Sequence, residues 1–444
     1  MEYSRSKYIN RLNGMRFNGL VKVVTGARRS GKSYLLNVLF YNFLIDDNVS
    51  KDSIIRFAFD ADEDIDKLDA FSESEAVRIP DKKMGYLINA KAFRRYMASL
   101  IDDKEKQYYV ILDEVQYLEN FVGTLNSYLR RKNVDLYVTG SNSKFLSVDI
   151  ATEFKGRSSE LHVLPLTFSE FLEGSNKEIT NAWAEYIVYG GIPLVASMQS
   201  EDEKDQYLKN LAEETYLKDI IKRNGIRKKD EISDTFNVLA SLISREVNPT
   251  NISNTFNSLG NGAIVPETVG RFISYFSDAF VLSAVKKYNI KGRKYIESPF
   301  KVYFEDVGVR NARLDFRQIE ESHILENILY NELRYRGFHV SVGEMDISED
   351  TGRKDKNNHS IYAQKSLEVD FIATKGSKKY YIQSALAMPT VEKQMQEKKS
   401  LYYIDDSFKK IVVTKNGLKL SRDEKGVVTM DIYEFLLNED SLDY

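Results

Sequence analysis

Val21-Lys22-Val23-Val24-Thr25-Gly26-Ala27-Arg28-Arg29-Ser30-Gly31-Lys32-Ser33 is a short β-branched run that gives way to an octet bounded by glycines. Gly26 to Ser33 fits G-x-x-x-x-G-K-[ST] at every position. Glycines let the backbone curl until its N–H groups point at phosphate oxygens. Lys32 supplies positive charge to the outer phosphates, and Ser33 offers a hydroxyl to magnesium. Such a turn needs a strand before it and a helix after it, and the pattern predicts both, over Val21–Thr25 and Lys32–Ile45. Gly26, Ala27, Arg28, Arg29, Ser30, Gly31, Lys32, Ser33 and Tyr34 are therefore assigned to a nucleotide, with ATP and Mg²⁺ as the expected ligands.

Outward from this octet, Tyr109-Val110-Ile111-Leu112-Asp113-Glu114 is an apolar strand ending in two carboxylates. Asp113 is placed to hold magnesium through water, and Glu114 to orient or deprotonate an attacking water. The following strand ends in Thr139-Gly140-Ser141-Asn142-Ser143, where Ser141 or Asn142 is the candidate to sense a γ-phosphate. Gly and Ser are also what any strand-end turn contains. Arg157 is a candidate to stabilise developing phosphate charge, within this chain or in a neighbouring subunit; a merely solvated arginine is the alternative.

Composition narrows the class. The chain has 444 residues, enough for several cores, and its 63 basic against 66 acidic side chains leave a net charge of −3, so it is not a basic nucleic-acid binder as a whole. It has no Cys, which excludes disulfides and Cys-based zinc sites, and no two of its four His have metal-ligand spacing. The N-terminus has no apolar core of a secretion signal, and no run approaches the ~18 apolar residues of a membrane helix. The expectation is a cytoplasmic protein without a membrane partner.

Short apolar strands are predicted over Val21–Thr25, Ser53–Phe59, Tyr108–Leu112, Leu136–Thr139 and Leu161–Leu164, alternating with helices: an α/β fold with a mostly parallel, doubly covered sheet. The Lys32 helix is apolar nearly all round, which suggests deep burial. From about Phe168 to Lys229 the reading is helical, with Ser200–Asp205 as an exposed turn. Helices near Ile232–Ile243, Asn251–Leu259 and Glu267–Phe280 then precede strands Val281–Tyr288 and Tyr295–Phe304, the outline of a winged helix-turn-helix. The last unit opens with a helix from Ser322 to Arg336, followed by strands Phe338–Val342, Leu367–Ala373, Tyr380–Ala385 and Lys410–Thr414. The polar stretch Asp346–Lys365 reads as a mobile insertion.

The phosphate loop, Leu112-Asp113-Glu114, Thr139-Gly140-Ser141-Asn142-Ser143, Gly156-Arg157 and Leu164-Pro165-Leu166-Thr167-Phe168-Ser169-Glu170-Phe171 together resemble one group of AAA+ ATPases widespread in archaea and bacteria. Tyr189-Gly190-Gly191-Ile192-Pro193 is similar to the Gly-Gly-x-Pro element in the helical lid of that group. The resemblance implies an additional-strand P-loop core over residues 1–170, a lid over 171–230, a winged helix over 231–310, and oligomeric assembly. It also implies that 311–444 is a restriction-endonuclease-like domain, in which Glu326, Asp370 and Gln383 occupy the positions of the acids that hold magnesium. The third acid is here Gln383 and the lysine position is Ala385, which points to a retained fold with a relic site.

The reading is thus a Mg²⁺-dependent ATPase that couples its cycle to domain movement. Two alternatives stay open: a nucleotide-switched module that grips DNA or protein with little turnover, and a nuclease gated by ATP. If the winged unit binds duplex DNA, its reading helix is Glu267–Phe280, with Lys286, Lys287, Lys291, Arg293 and Lys294 on phosphates. Phe272, Tyr275, Phe276 and Phe280 in that helix fit a core equally well.

Overall fold

The computed structural model describes residues 3–72, 75–82, 84–140, 156–258, 264–354, 360–415, 417 and 419–444. β1 (Val21–Thr25), β2 (Ile54–Ala58), β5 (Tyr108–Asp113), β6 (Val134–Thr139) and β7 (Ser158–His162) form one sheet in the order β2-β5-β6-β1-β7, every neighbouring pair parallel. A small antiparallel pair, β3 (Arg78–Asp81) and β4 (Gly85–Ile88), stands beside it. Both faces are covered. Val21, Val23, Phe57, Val110, Leu112 and Val138 pack towards helices Asp62–Phe71, Ala90–Leu100 and Phe121–Leu129. Val24, Ile54, Ile111, Tyr137 and Leu161 pack on the other face, against Ser6–Gly14 and the helix that follows the phosphate loop. Burial on both sides accounts for the unbroken apolar strands.

Lys22 breaks that pattern and is nonetheless fully buried on β1. Its ammonium is paired with Asp135 on β6, whose other oxygen accepts the Tyr137 hydroxyl at 2.7 Å. A buried charge survives where a partner and a second hydrogen bond replace water.

The helix after the phosphate loop is continuous from Lys32 to Asp46, with a π-helical turn over Leu35–Phe40. Burial is confined to one stripe (Leu35, Leu36, Phe40, Leu44), and Tyr34 and Asn42 face solvent, so the helix is amphipathic rather than enclosed. Ser200–Asp205, expected as a turn, instead opens helix Glu201–Asn210. Ser200 caps it by accepting the Glu203 N–H at 3.4 Å, and Glu201, Asp202 and Glu203 sit at the positive end of its dipole.

Beyond the first sheet lie helices Lys229–Ser241, Pro249–Ser258 and Pro266–Asp278, with the two-residue strand β8 (Glu246–Val247) between the first two. A hairpin follows, β9 (Leu282–Asn289) and β10 (Lys294–Phe304). Then come helices Val307–Arg313 and Glu321–Tyr335, followed by β11 (His339–Lys354), β12 (Ser360–Lys375), β13 (Lys378–Ala385), helix Val391–Tyr402, β14 (Lys409–Thr414), β15 (Ser421–Arg422) and β16 (Val427–Asp431). The hairpin does not stand alone. β9 runs parallel to β11, with Lys287 opposite Val342, so one nine-stranded sheet runs β15-β16-β14-β13-β12-β11-β9-β10-β8. The stretch Asp346–Lys365, read as an insertion, is largely the outer part of the β11–β12 ribbon, in which Asp346 pairs with Ser366 and Asp350 with Tyr362. Where it is described, its polar composition reflects a ribbon whose outer part is exposed.

Cores run across the boundaries suggested by the sequence. Ile192, Leu211 and Tyr216 of the 171–230 segment share one cluster with Ile232, Phe236, Phe272, Val302 and Val309, and Phe168, Phe171 and Trp183 share another with Ile324, Leu329, Ile382 and Phe435. The junctions are tight. A Cβ at Gly308 would lie 2.0 Å from the Tyr189 carbonyl oxygen, and one at Gly191 would lie 2.2 Å from that of Leu166. Gly270, by contrast, sits inside helix Pro266–Asp278 with nothing within 4 Å of an added Cβ. Chemical denaturation is expected to show Gly308→Ala destabilised by about 1–3 kcal/mol or more, as overpacking against backbone requires. Gly270→Ala should be neutral or gain up to ~1 kcal/mol from helix propensity.

Candidate functional site

Because the first sheet is parallel, β1, β5 and β6 deliver their C-terminal ends to one edge, and Thr25, Asp113 and Thr139 arrive there together. The turn after β1 needs its first glycine. Gly26 has φ +139°, and a Cβ there would lie 2.2 Å from the Val163 carbonyl oxygen and 3.2 Å from Ser30 Oγ. Arg29 and Gly31 also have positive φ, at 67° and 95°. The Lys32 ammonium donates to the carbonyls of Gly26 (3.0 Å) and Ala27 (2.8 Å), inside the curl of the loop. Ser30 Oγ is buried there without a hydrogen-bond partner among the described residues.

The charges around the loop are perturbed. Burial pushes the Lys32 ammonium down to about 8, although Glu114 and Asp113 favour its charge. Burial raises the Asp113 carboxyl, opposed by hydrogen bonds from Thr139 and Ser33. Asn37 Nδ2 donates to the second oxygen of Asp113 at 3.3 Å. Glu114 sits at φ 52°, its N–H donating to Thr139 Oγ1 at 3.2 Å, and Gln116 Nε2 donates to its carboxylate. One cavity of about 690 Å³ collects Arg28 to Tyr34, Asp60, Glu114 and Tyr117 on the sheet side, and Pro193, Leu194, Ser197 and Thr215 on the other. The loop residues and Glu114 thus line a single space, with Asp113 directly behind it against Ser33. The cradle, the orphaned Ser30 hydroxyl and the Ser33–Asp113 pair are the donor set a phosphate chain with Mg²⁺ requires.

Three groups escaped the sequence reading. Asp60, just beyond β2, is raised by burial and then by Glu114 and Asp113. Arg223, on helix Lys218–Asn224, pairs with Asp219 at 2.8 Å. Burial lowers its guanidinium, and Arg28 and Glu114 both act on it. Tyr216 donates its hydroxyl to the Arg28 carbonyl at 2.9 Å and so fastens the helical segment to the loop. No local motif marks these residues; only the folding of distant segments over the sheet edge brings them in.

Arg157 does not join this site. It precedes β7 at the start of the sheet, where its carbonyl accepts the Val21 N–H, while the loop lies beyond the far end of β1. Its exposed guanidinium reaches Asn126 at 3.4 Å. Ser141 and Asn142 lie outside the described residues.

The edge carrying the loop is wired to the rest of the chain. Thr25 Oγ1 contacts His162 Nδ1 (3.1 Å), His162 Nε2 contacts Glu305 Oε1 (2.8 Å), and that oxygen also accepts from Arg334 Nη1 (3.2 Å). The neighbouring Asp306 accepts the N–H groups of Gly191 (2.7 Å) and Val309 (2.9 Å). Gly190, with φ +72°, has no room for a Cβ beside that carboxylate.

The second candidate set is also brought together. Gln383 Oε1 accepts the Asp370 N–H at 3.4 Å, and Glu326 and Asp370 meet at the ammonium of Lys301. Among the described residues no group of three or more His, Asp or Glu side chains is arranged to hold a metal ion. Of the basic residues expected on a DNA backbone, Lys287 is instead buried, Lys286 is paired with Glu297, and Lys291 donates to the Asp346 carbonyl. Arg293 and Lys294 are exposed. Phe272 and Phe276 are core.

Comparison with known proteins bears on the first unit. Residues 18–172 match the family described as an AAA domain, and residues 180–320 match a domain of unknown function, DUF8612. With the parallel sheet and the cradle, the first match makes residues 18–172 similar to an AAA domain of the P-loop class. The second match spans the helical segment before residue 230, the three-helix unit and the hairpin, segments that share a core. An uncharacterized protein of Haemophilus influenzae is 28% identical over 419 residues, 93% of each chain. One of Methanocaldococcus jannaschii is 27% identical over 425 residues, covering 88% of this chain and 84% of its own. Among solved structures, Orc1 of Aeropyrum pernix in complex with DNA aligns at 14% identity and a TM-score of 0.29, over 70% of this chain and 92% of that one. AMPPCP-bound DnaA of Aquifex aeolicus aligns at 14% identity and a TM-score of 0.26, over 55% and 70%. Likeness at that level assigns neither ligand nor partner. No helix of the described residues is long and apolar enough to cross a membrane.

Burying the charged form of Lys32 costs stability. The folded-state value of Lys32 lies below its ordinary 10.5, at about 8, so the charge opposes folding at neutral pH and stops doing so as pH rises past 10.5. At about 1.4 kcal/mol per pH unit this is up to ~3 kcal/mol. Lys32→Met is expected to stabilise the nucleotide-free protein at pH 7 by at most about that amount, with the gain shrinking between pH 8 and 10.5 in urea titrations.

Proposed function

We propose that the chain is a Mg²⁺-dependent ATPase whose cycle moves the lid and the units packed on it. One observation carries the reading: the phosphate loop, Glu114 and the lid residues Pro193, Leu194 and Thr215 face one cavity, with Asp113 and Ser33 at its edge. The loop amides and Lys32 bind the phosphate chain, Lys32 exchanging the Gly26 and Ala27 carbonyls for phosphate oxygens. Ser33 and Asp113 would hold Mg²⁺, which when bound neutralises charge on the phosphates. Glu114, held by Thr139 and Gln116, orients the attacking water and takes its proton. Arg223, whose guanidinium is acted on by Glu114 and Arg28, gives the lid a charge that responds to the nucleotide.

Arg157 acts, in this reading, across a subunit boundary, since its own cradle lies at the opposite end of β1. The segment 231–310 is read as a winged helix, with β8 pairing β10 at Val247–Phe300 as its third strand, and 311–444 as a restriction-endonuclease-like unit without nuclease activity.

Lys32→Ala is expected to abolish the heat of ATP binding in calorimetry. Glu114→Gln should bind ATP normally and release phosphate at least ~100-fold more slowly; wild-type turnover by that variant would remove the mechanism. Arg157→Ala should lose turnover while retaining ATP binding, and mixing it with Lys32→Ala subunits should restore part of the rate. A mixture as inactive as its components argues against a shared site.

A second reading, a nucleotide-switched grip on duplex DNA, rests on exposed Arg271 of helix Pro266–Asp278 together with Arg293 and Lys294 at the hairpin tip. Anisotropy of a labelled duplex should then rise with ATP present and weaken in Arg271→Ala; no binding at low salt would exclude it.

A further inference from the structure

A restriction-endonuclease-like unit implies carboxylates gathered around a divalent ion. Here the carboxylates are gathered around an ammonium. Lys301 Nζ lies 3.0 Å from Glu326 Oε1, 2.5 Å from Glu368 Oε1 and 3.6 Å from Asp370 Oδ1. Lys301 is 5% exposed, Glu326 8% and Asp370 6%. Two further donors bond the same carboxylates. Glu326 Oε1 accepts the Tyr303 hydroxyl at 2.7 Å, and Asp370 Oδ2 accepts the Ser384 N–H at 2.8 Å. Lys287, on the adjacent strand, bonds Glu246 and lies 3.4 Å from Glu344 and 3.5 Å from Glu368.

A divalent ion needs oxygen ligands at roughly 2.0–2.6 Å. Placed among the same oxygens it would stand within a few ångströms of a fixed positive charge in a poorly solvated interior, where that repulsion is large. Gln383 adds no charge to hold a metal, and Ala385 offers no lysine to orient a water. The residues present do not fit the metal.

We propose that Lys301 is the permanent cation of this cluster, and that the Glu326–Glu368–Asp370 set is a metal-free clamp fastening the β9–β10 hairpin to the C-terminal unit. Its three acids come from helix Glu321–Tyr335 and β12, and its two lysines from β10 and β9. The clamp reinforces the β9–β11 pairing and makes hairpin and C-terminal sheet one body. Nothing in this depends on the nucleotide site.

The test uses the full chain without nucleotide. Free Mn²⁺ is followed by electron paramagnetic resonance in wild type and in Asp370→Asn. Equal Mn²⁺ uptake by the two is expected, and uptake lost in Asp370→Asn overturns the proposal, as does Mn²⁺-dependent plasmid nicking that Asp370→Asn abolishes. Removing the built-in cation should open the site: Lys301→Met is expected to show a Mn²⁺-dependent rise in melting temperature of about 5 °C that wild type lacks. The triple change Lys301→Met/Glu368→Gln/Asp370→Asn should lose that rise. A folded Lys301→Met that ignores Mn²⁺ counts against the proposal. If Lys301→Met does not fold with or without Mn²⁺, the wild-type and Asp370→Asn comparison decides.

Discussion

Two adjacent buried carboxylates, Glu305 and Asp306, tie the chain together. Glu305 reaches back through His162 to Thr25, the last residue before the phosphate loop, and sideways to Arg334 on the helix that opens the C-terminal unit. Asp306 accepts the backbone N–H of Gly191, between two helices of the 171–230 segment. A buried carboxylate must find donors or lose several kcal/mol. Here the donors belong to three different parts of the chain, so satisfying the charges and assembling the domains are one event.

The candidate site is built from groups that the fold holds at a cost. Lys32 and Asp113 are both disfavoured in their charged forms by burial, and Glu114 and Arg29 sit in left-handed backbone conformations. Such strain persists because the parallel sheet and the helical segment packed over it over-determine the edge. A ligand carrying phosphate negative charge and a divalent cation would relieve the same imbalance, and that is the physical basis for reading the edge as a site rather than a turn.

Legibility followed from whether the signal was local. The loop octet, the apolar strands and Asp113-Glu114 were readable because strand period, glycine conformation and carboxylate placement are properties of a few consecutive residues. The β11–β12 ribbon was misread since its outer part is exposed and its composition therefore resembles a loop. The Ser200 cap was missed because a serine followed by three acids serves equally well as a turn and as a helix start. Lys287 looked like a phosphate contact on a basic hairpin; three carboxylates brought in from β8, β11 and β12 made it a buried partner instead.

By itself the sequence determined the phosphate loop with its flanking strand and helix, the acidic pair at the end of the next apolar strand, and the α/β order of the first unit. Tertiary structure alone decided that Arg157 lies at the far end of the sheet from its own loop, that Asp60 and Glu114 line one cavity, and that Lys301 sits among Glu326, Glu368 and Asp370. The first group rests on short-range backbone geometry, which neighbouring residues dictate. The second rests on which distant charges meet once water is excluded, and that depends on strand order and on how segments pack.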